Sequence, residues 1–117
     1  DRRACLIDEQ LQCGALRLVT CSSLNQDLKN VLSREAFSAS ASKVWAHWQT
    51  FAHEIELTEH APWRCSDADD QKLLDLAVSA KAQALLTRDR ALLALARRAS
   101  ASSLQIAKPE GFIACPA

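Results

Sequence analysis

Apolar positions recur along this chain at helical and at strand spacing, and the alternation between the two predicts its elements. Ala4, Ile7 and Leu11 share one helical face over residues 1–12, and Gly14 follows as a stop. The apolar run 16–20 then reads as a short strand. Ser22 or Ser23 is placed to cap a second helix, whose stripe is Leu24, Leu28, Val31 and Leu32. A small-residue linker, 38–42, leads to a third helix with Val44, Trp48, Phe51 and Ile55 in register. Residues 55–58 read as an edge strand, and 60–63, with Pro62, as a loop. Further on come a helical run, a strand at 84–87 and a long helix over 90–98 that faces Leu92, Leu95, Ala96 and Ala99 inward. A last strand at 104–107 and a turn or short helix opening at Lys108-Pro109-Glu110 complete the pattern. Short, doubly buried strands alternating with helices predict an α/β fold whose parallel sheet is covered on both faces.

The stretch 66–90 carries the most chemistry. Asp67, Asp69 and Asp70 crowd its start, and Asp89 follows the strand at its end. In open α/β sheets, ligands bind at the carboxyl ends of strands. Asp70 shares a helical face with Leu73, Leu74 and Ala77, so it points inward, whereas Asp75 and Ser79 fall on the polar side. An inward carboxylate has to be paired, hydrogen-bonded or metal-bound. Capping is the competing account: Asp67 suits a helix N-terminus, acids in a first turn complement the helix dipole, and Asp89 can cap the helix that follows it. Both accounts stand on spacing alone. Asp27 flanks the stripe of the second helix, and it either reaches a site above the sheet or is a solvated surface acid.

Composition narrows the options. The chain has 117 residues, enough for one domain with a real core. Its 14 basic and 14 acidic residues cancel, so no global field draws it onto nucleic acid and any such binding is local. Five cysteines form no C-x-x-C pair; Cys5, Cys13 and Cys21 follow a period that fits neither a disulfide framework nor a zinc ribbon, and read as small buried hydrophobes in a reduced compartment. His47, His53 and His60 share no metal-ligand spacing, and Trp45, Trp48 and Trp63 read as packing. With only two glycines a dinucleotide fingerprint is excluded. No run is apolar enough for a membrane span and no signal peptide is visible, which points to the cytoplasm. The chain begins at Asp1 and has no methionine, so a segment is expected to be missing at its front.

The run SDADDQKLLDLAVSAKAQALLTRDRALL, followed by LQIAKPEGF, resembles the C-terminal half of a PIN domain, in the bacterial branch of toxin components of toxin–antitoxin pairs. The upstream LRLVTCSSLNQDLKNVLSREAF is similar to that branch's strand–helix unit. The resemblance implies a single domain over 1–117 with a three-layer α/β/α PIN-like fold, a central parallel sheet flanked by helices. It implies a Mg²⁺- or Mn²⁺-dependent endoribonuclease, with an RNA substrate, a cognate antitoxin and a homodimeric state. Matched by motif, Asp70, Asp89 and Asp27 become the catalytic and metal-binding acids, Asp27 standing where the family has Glu, and Asp67 and Asp69 are further acids of the motif. Thr87 matches the hydroxyl at the strand end. Arg88 and Arg90, with Arg97 and Arg98 further on, supply phosphate contacts or else form a solvated face. The family begins with a strand ending in a metal-binding Asp, and the first residues of this chain match the helix after it. A non-catalytic PIN-like module that binds protein or RNA is the alternative.

Overall fold

The computed structural model describes residues 9–111; residues 1–8 of the helix expected over 1–12 and the cysteines Cys5 and Cys115 lie outside the described residues. The chain forms two compact units, one made of the described residues up to 56 and the other of those from 57 onward. Both are α/β, with parallel strands joined through helices, the class that the hydrophobic pattern predicts. The strands pair as two two-stranded sheets, one in each unit.

In the first unit, residues 9–12 are helical and Gly14 sits at φ +83°, the left-handed conformation that glycine adopts without steric cost. Strand β1 (Leu18–Thr20) follows, then α1 (Ser22–Leu32), a 3₁₀ turn at Glu35–Phe37, α2 (Ala41–Phe51) and β2 (Ala52–Glu54). β1 and β2 pair in parallel with Val19 opposite His53, and the Ile55 N–H extends the ladder to the Thr20 carbonyl at 2.9 Å. The strand expected at 55–58 therefore arrives earlier, because α2 ends at Phe51 instead of running through Ile55. The linker expected at 38–42 is likewise shorter, since α2 begins at Ala41. The N-cap of α1 is Cys21, which leaves Ser22 and Ser23 inside the first turn. On α2, Val44 is exposed and the half-buried face carries Trp45 and Trp48, so the inward stripe is rotated from the expected one.

A polar hub closes the carboxyl ends of β1 and β2. Asn25 Oδ1 accepts the Trp48 indole N–H at 2.7 Å and the hydroxyl of Thr20 at 3.1 Å. Its Nδ2 donates to Glu54 at 2.7 Å. Thr20 is buried, so this pairing satisfies a hydroxyl that would otherwise be stranded away from water. Lys29 lies 5.0 Å over the Trp45 ring, and His47 packs on Phe51.

In the second unit, a 3₁₀ turn at Ala68–Asp70 runs into α3 (Gln71–Ser79), which leads to β3 (Ala84–Leu86), α4 (Arg90–Leu93), α5 (Ala96–Ser100), β4 (Gln105–Ala107) and a 3₁₀ turn at Pro109–Gly111. β3 and β4 pair in parallel with Leu85 opposite Ile106. The core gathers Leu74 from α3, Leu92 and Leu95 from the α4–α5 region, Ala99, Ile106 and the ring of Trp63. The single helix expected over 90–98 breaks at Ala94–Leu95, where the Leu95 N–H bonds back to Leu92 in a tighter turn; Leu92, Leu95 and Ala99 are all buried across the break.

Both long turns into strands use the same device. Lys81 sits at φ 54°, with its N–H on the Val78 carbonyl and the Ala82 N–H on the Ala77 carbonyl. Ser103 sits at φ 68°, with its N–H on Ser100 and the Leu104 N–H on Ala99. Each is a Schellman cap, which satisfies the last helical carbonyls and reverses the chain into the next strand. Neither position is a glycine, so no sequence signal marks them.

Candidate functional site

The site lies at the carboxyl end of β3, and each of its acids is held by a local device. Asp67 caps the 3₁₀ turn, its Oδ1 accepting the Asp69 N–H at 3.0 Å, while the Asp70 N–H bonds to the Asp67 carbonyl. The turn therefore places Asp67 beside Asp70. Across from them, β3 ends and the Thr87 hydroxyl accepts the Asp89 N–H at 3.0 Å. Asp89 in turn caps α4, its Oδ1 accepting the Ala91 N–H at 2.8 Å. The capping account and the site account thus hold together, because a capping carboxylate uses one oxygen and leaves the other.

Asp67, Asp70 and Asp89 each bring a carboxylate oxygen to within 4.8 Å of the other two. Asp67 and Asp89 are exposed and Asp70 is half-buried. The Oδ2 of Asp70 is closed from solvent and has no hydrogen-bond partner among the described residues. Burial first, then the neighbouring carboxylate of Asp89 and the charges of Asp67 and Asp69, raises Asp70 above the ordinary carboxylate range. Three acids gathered in this way repel unless a proton or a cation neutralises them. The donor set is all oxygen, with one oxygen orphaned, and it fits a hard divalent cation such as Mg²⁺ or Mn²⁺.

None of the other expected acids is a member of the three-acid group. Asp69 stands in the same turn but is outside the three-acid group. Asp27 is exposed on α1 of the first unit, whereas all three grouped acids belong to the second. Arg88 is paired with Glu110 at 2.9 Å; Glu110 is held below the ordinary carboxylate range by its own backbone N–H and then by Arg88 and Lys108, against the opposing effect of burial. Arg90 opens α4 and is exposed, and Arg97 and Arg98 are exposed on α5. Of the cysteines, Cys21 is buried as expected, but Cys13 is exposed.

Asp75 and Ser79 overturn the expected polar face of α3. Asp75 is buried, and its Oδ1 accepts the Ala61 N–H at 2.8 Å, with Gln71 at 3.4 Å and His60 at 3.4 Å beside Oδ2. Burial alone would raise Asp75, but the Ala61 N–H, Gln71 and His60 overcome it and hold the group below its ordinary value. Ser79 Oγ accepts the N–H groups of Thr58 and Glu59. With Gln71 these residues form a ladder at one-turn spacing that binds the backbone of the preceding loop. Helical periodicity placed Asp75 correctly on its helix; it could not show that a loop would cover that face. The histidines lie on the surface and not among core aromatics, whereas Trp63 does pack in the core.

Parallel strands with grouped carboxylates at a carboxyl end define an α/β protein with an all-oxygen site suited to a hard cation. A family model described as the PIN domain matches residues 2–91, and the chain belongs to that family. PIN domains are commonly metal-dependent nucleases. No curated protein and no solved structure matches the chain. Among the described residues, no helix is long and apolar enough to cross a membrane.

Proposed function

We propose that this chain, as one PIN-like domain over 1–117, is a divalent-metal-dependent endoribonuclease, the cytoplasmic toxin component of a toxin–antitoxin pair, held in check by a cognate antitoxin and acting as a homodimer. The observation that carries the reading is the group Asp67, Asp70 and Asp89, with the orphaned Oδ2 of Asp70. Asp70 and Asp89 would be the principal ligands and Asp67 the third, with Asp69 a further acid of the same turn. A bound Mg²⁺ or Mn²⁺ would supply an activated water and charge stabilisation at the phosphoryl oxygens. The residues of the chain do the rest. The Thr87 hydroxyl holds the Asp89 backbone, Asp67 and Asp70 are set by their shared turn, and Arg88 and Arg90 flank Asp89, where a phosphate backbone would pass.

The test is cleavage of a mixed RNA substrate by the purified chain with Mn²⁺. EDTA is expected to abolish it, and so is Asp70→Asn in a protein that remains folded by circular dichroism. Cleavage that survives Asp70→Asn at the wild-type rate would refute the assignment. Asp69 stays outside the three-acid group, and that observation favours the second reading, a non-catalytic module that binds RNA or protein. RNA binding without cleavage, indifferent to EDTA and to Asp70→Asn, would support it.

A further inference from the structure

Gln71 stands immediately after Asp70, and its side chain closes a loop. Its Oε1 accepts the Cys65 N–H at 2.8 Å, and its Nε2 donates to the Trp63 carbonyl at 3.0 Å and, more distantly, to Asp75 Oδ1 at 3.4 Å. One amide therefore ties the start of α3 to the backbone two and four residues before Asp67. The Trp63 end of that tie is buried in the core. Within the closed loop, the turn bonds of Asp67 fix Asp67 beside Asp70, but they say nothing of where the turn as a whole sits. Asp89 is fixed separately, by β3 and the Thr87 hydroxyl. The tie through Gln71 anchors the backbone that enters the turn, while α3, buried through Leu74, anchors the residues that leave it.

We infer that Gln71 is a positioning residue of the acid site: by holding the 65–71 loop closed it keeps Asp67 and Asp70 in reach of Asp89, and so sets the affinity of the site for a divalent cation. The inference rests on the cation-site reading above. Outer-shell partners of metal ligands commonly control affinity by about ten- to a hundredfold. Gln71→Met keeps length and volume and removes all three hydrogen bonds, so it isolates the tie from the packing.

The experiment is a Mn²⁺ titration of the full chain, followed by electron paramagnetic resonance of the free ion, for wild type, Gln71→Met, Ser79→Ala and Asp70→Asn. The temperature is kept well below each variant's unfolding midpoint. Gln71→Met is expected to weaken Mn²⁺ binding about tenfold or more. Ser79→Ala cuts the same ladder two turns from the acids; it is expected to lower stability and leave the affinity within about twofold of wild type, since it touches no part of the 65–71 loop. If Gln71→Met does not fold, Gln71→Asn, which withdraws the amide by one methylene, carries the same expectation. Wild-type affinity in a folded Gln71 variant, with binding abolished by Asp70→Asn, overturns the inference and leaves the site reading standing. An equal loss in Ser79→Ala also overturns it, since general softening would then be the cause. A wild type with no saturable Mn²⁺ uptake, or uptake indifferent to Asp70→Asn, overturns the site reading and the inference together.

Discussion

Neutralising Asp70 should stabilise the metal-free protein, which is the opposite of what removing a useful capping acid does. The magnitude follows from the geometry. Two unit charges at the 4.8 Å limit of the group repel by about 0.9 kcal/mol at the dielectric constant of water, which suits a site with two exposed members. Asp70 has two such neighbours, and screening at physiological ionic strength roughly halves each repulsion. Asp70→Asn therefore relieves about 1 kcal/mol, and an Asn amide able to donate to Asp89 adds to the gain. For a chain of this length that is a rise of about 4 °C in the thermal midpoint. The pH dependence has a definite sign. The fold raises the pKa of Asp70, so the folded state holds a proton that the unfolded state has released, and stability falls as pH rises through that interval. The advantage of Asp70→Asn accordingly fades below about pH 4, as Asp70 becomes protonated in both states, and grows as pH rises toward neutrality. Differential scanning calorimetry in EDTA at pH 7.5 and near pH 3.5 checks both limbs. Adding Mn²⁺ should raise the midpoint of the wild type and leave that of Asp70→Asn nearly unchanged. A variant less stable than wild type in EDTA at pH 7.5 would refute the reasoning, since the carboxylate would then be a net stabiliser of the fold.

Two further outcomes test the frame around the site. Asp75→Leu strands the Ala61 N–H and should cost about 2–3 kcal/mol in urea denaturation at neutral pH. Because the pKa of Asp75 is lowered in the fold, part of that contribution is present above about pH 4 and is lost as pH falls further, so the gap between wild type and variant should narrow in acid. Lys81→Gly should stabilise the protein by up to about 1 kcal/mol, read from the same urea midpoint, because Lys81 is held at φ 54° where a Cβ is strained. A loss of stability there would mean that the Lys81 side chain does more for the fold than its backbone strain takes away.

The sequence by itself determined what is local. Helical spacing gave the stripe of α1 and the inward position of Asp70, and apolar runs gave β1, β3 and β4 within a few residues, because side-chain periodicity follows from the backbone repeat alone. The acids Asp67 and Asp89 were legible as caps for the same reason, since a cap bonds its own first turn. What the tertiary structure decided are the encounters between distant segments. The loop 58–65 covers one face of α3, which turned Asp75 from an expected surface acid into a buried acceptor and gave Gln71 its tie. Two caps joined with Asp70 as one group because the α3 turn and the end of β3 meet, a coincidence that no spacing encodes. The break at Ala94–Leu95 and the left-handed turns at Lys81 and Ser103 were equally hidden. Their residues carry no glycine or proline, so the conformation follows from what is buried beside them: Leu92, Leu95 and Ala99 around the break, Leu104 after Ser103, and Ala77 before Lys81.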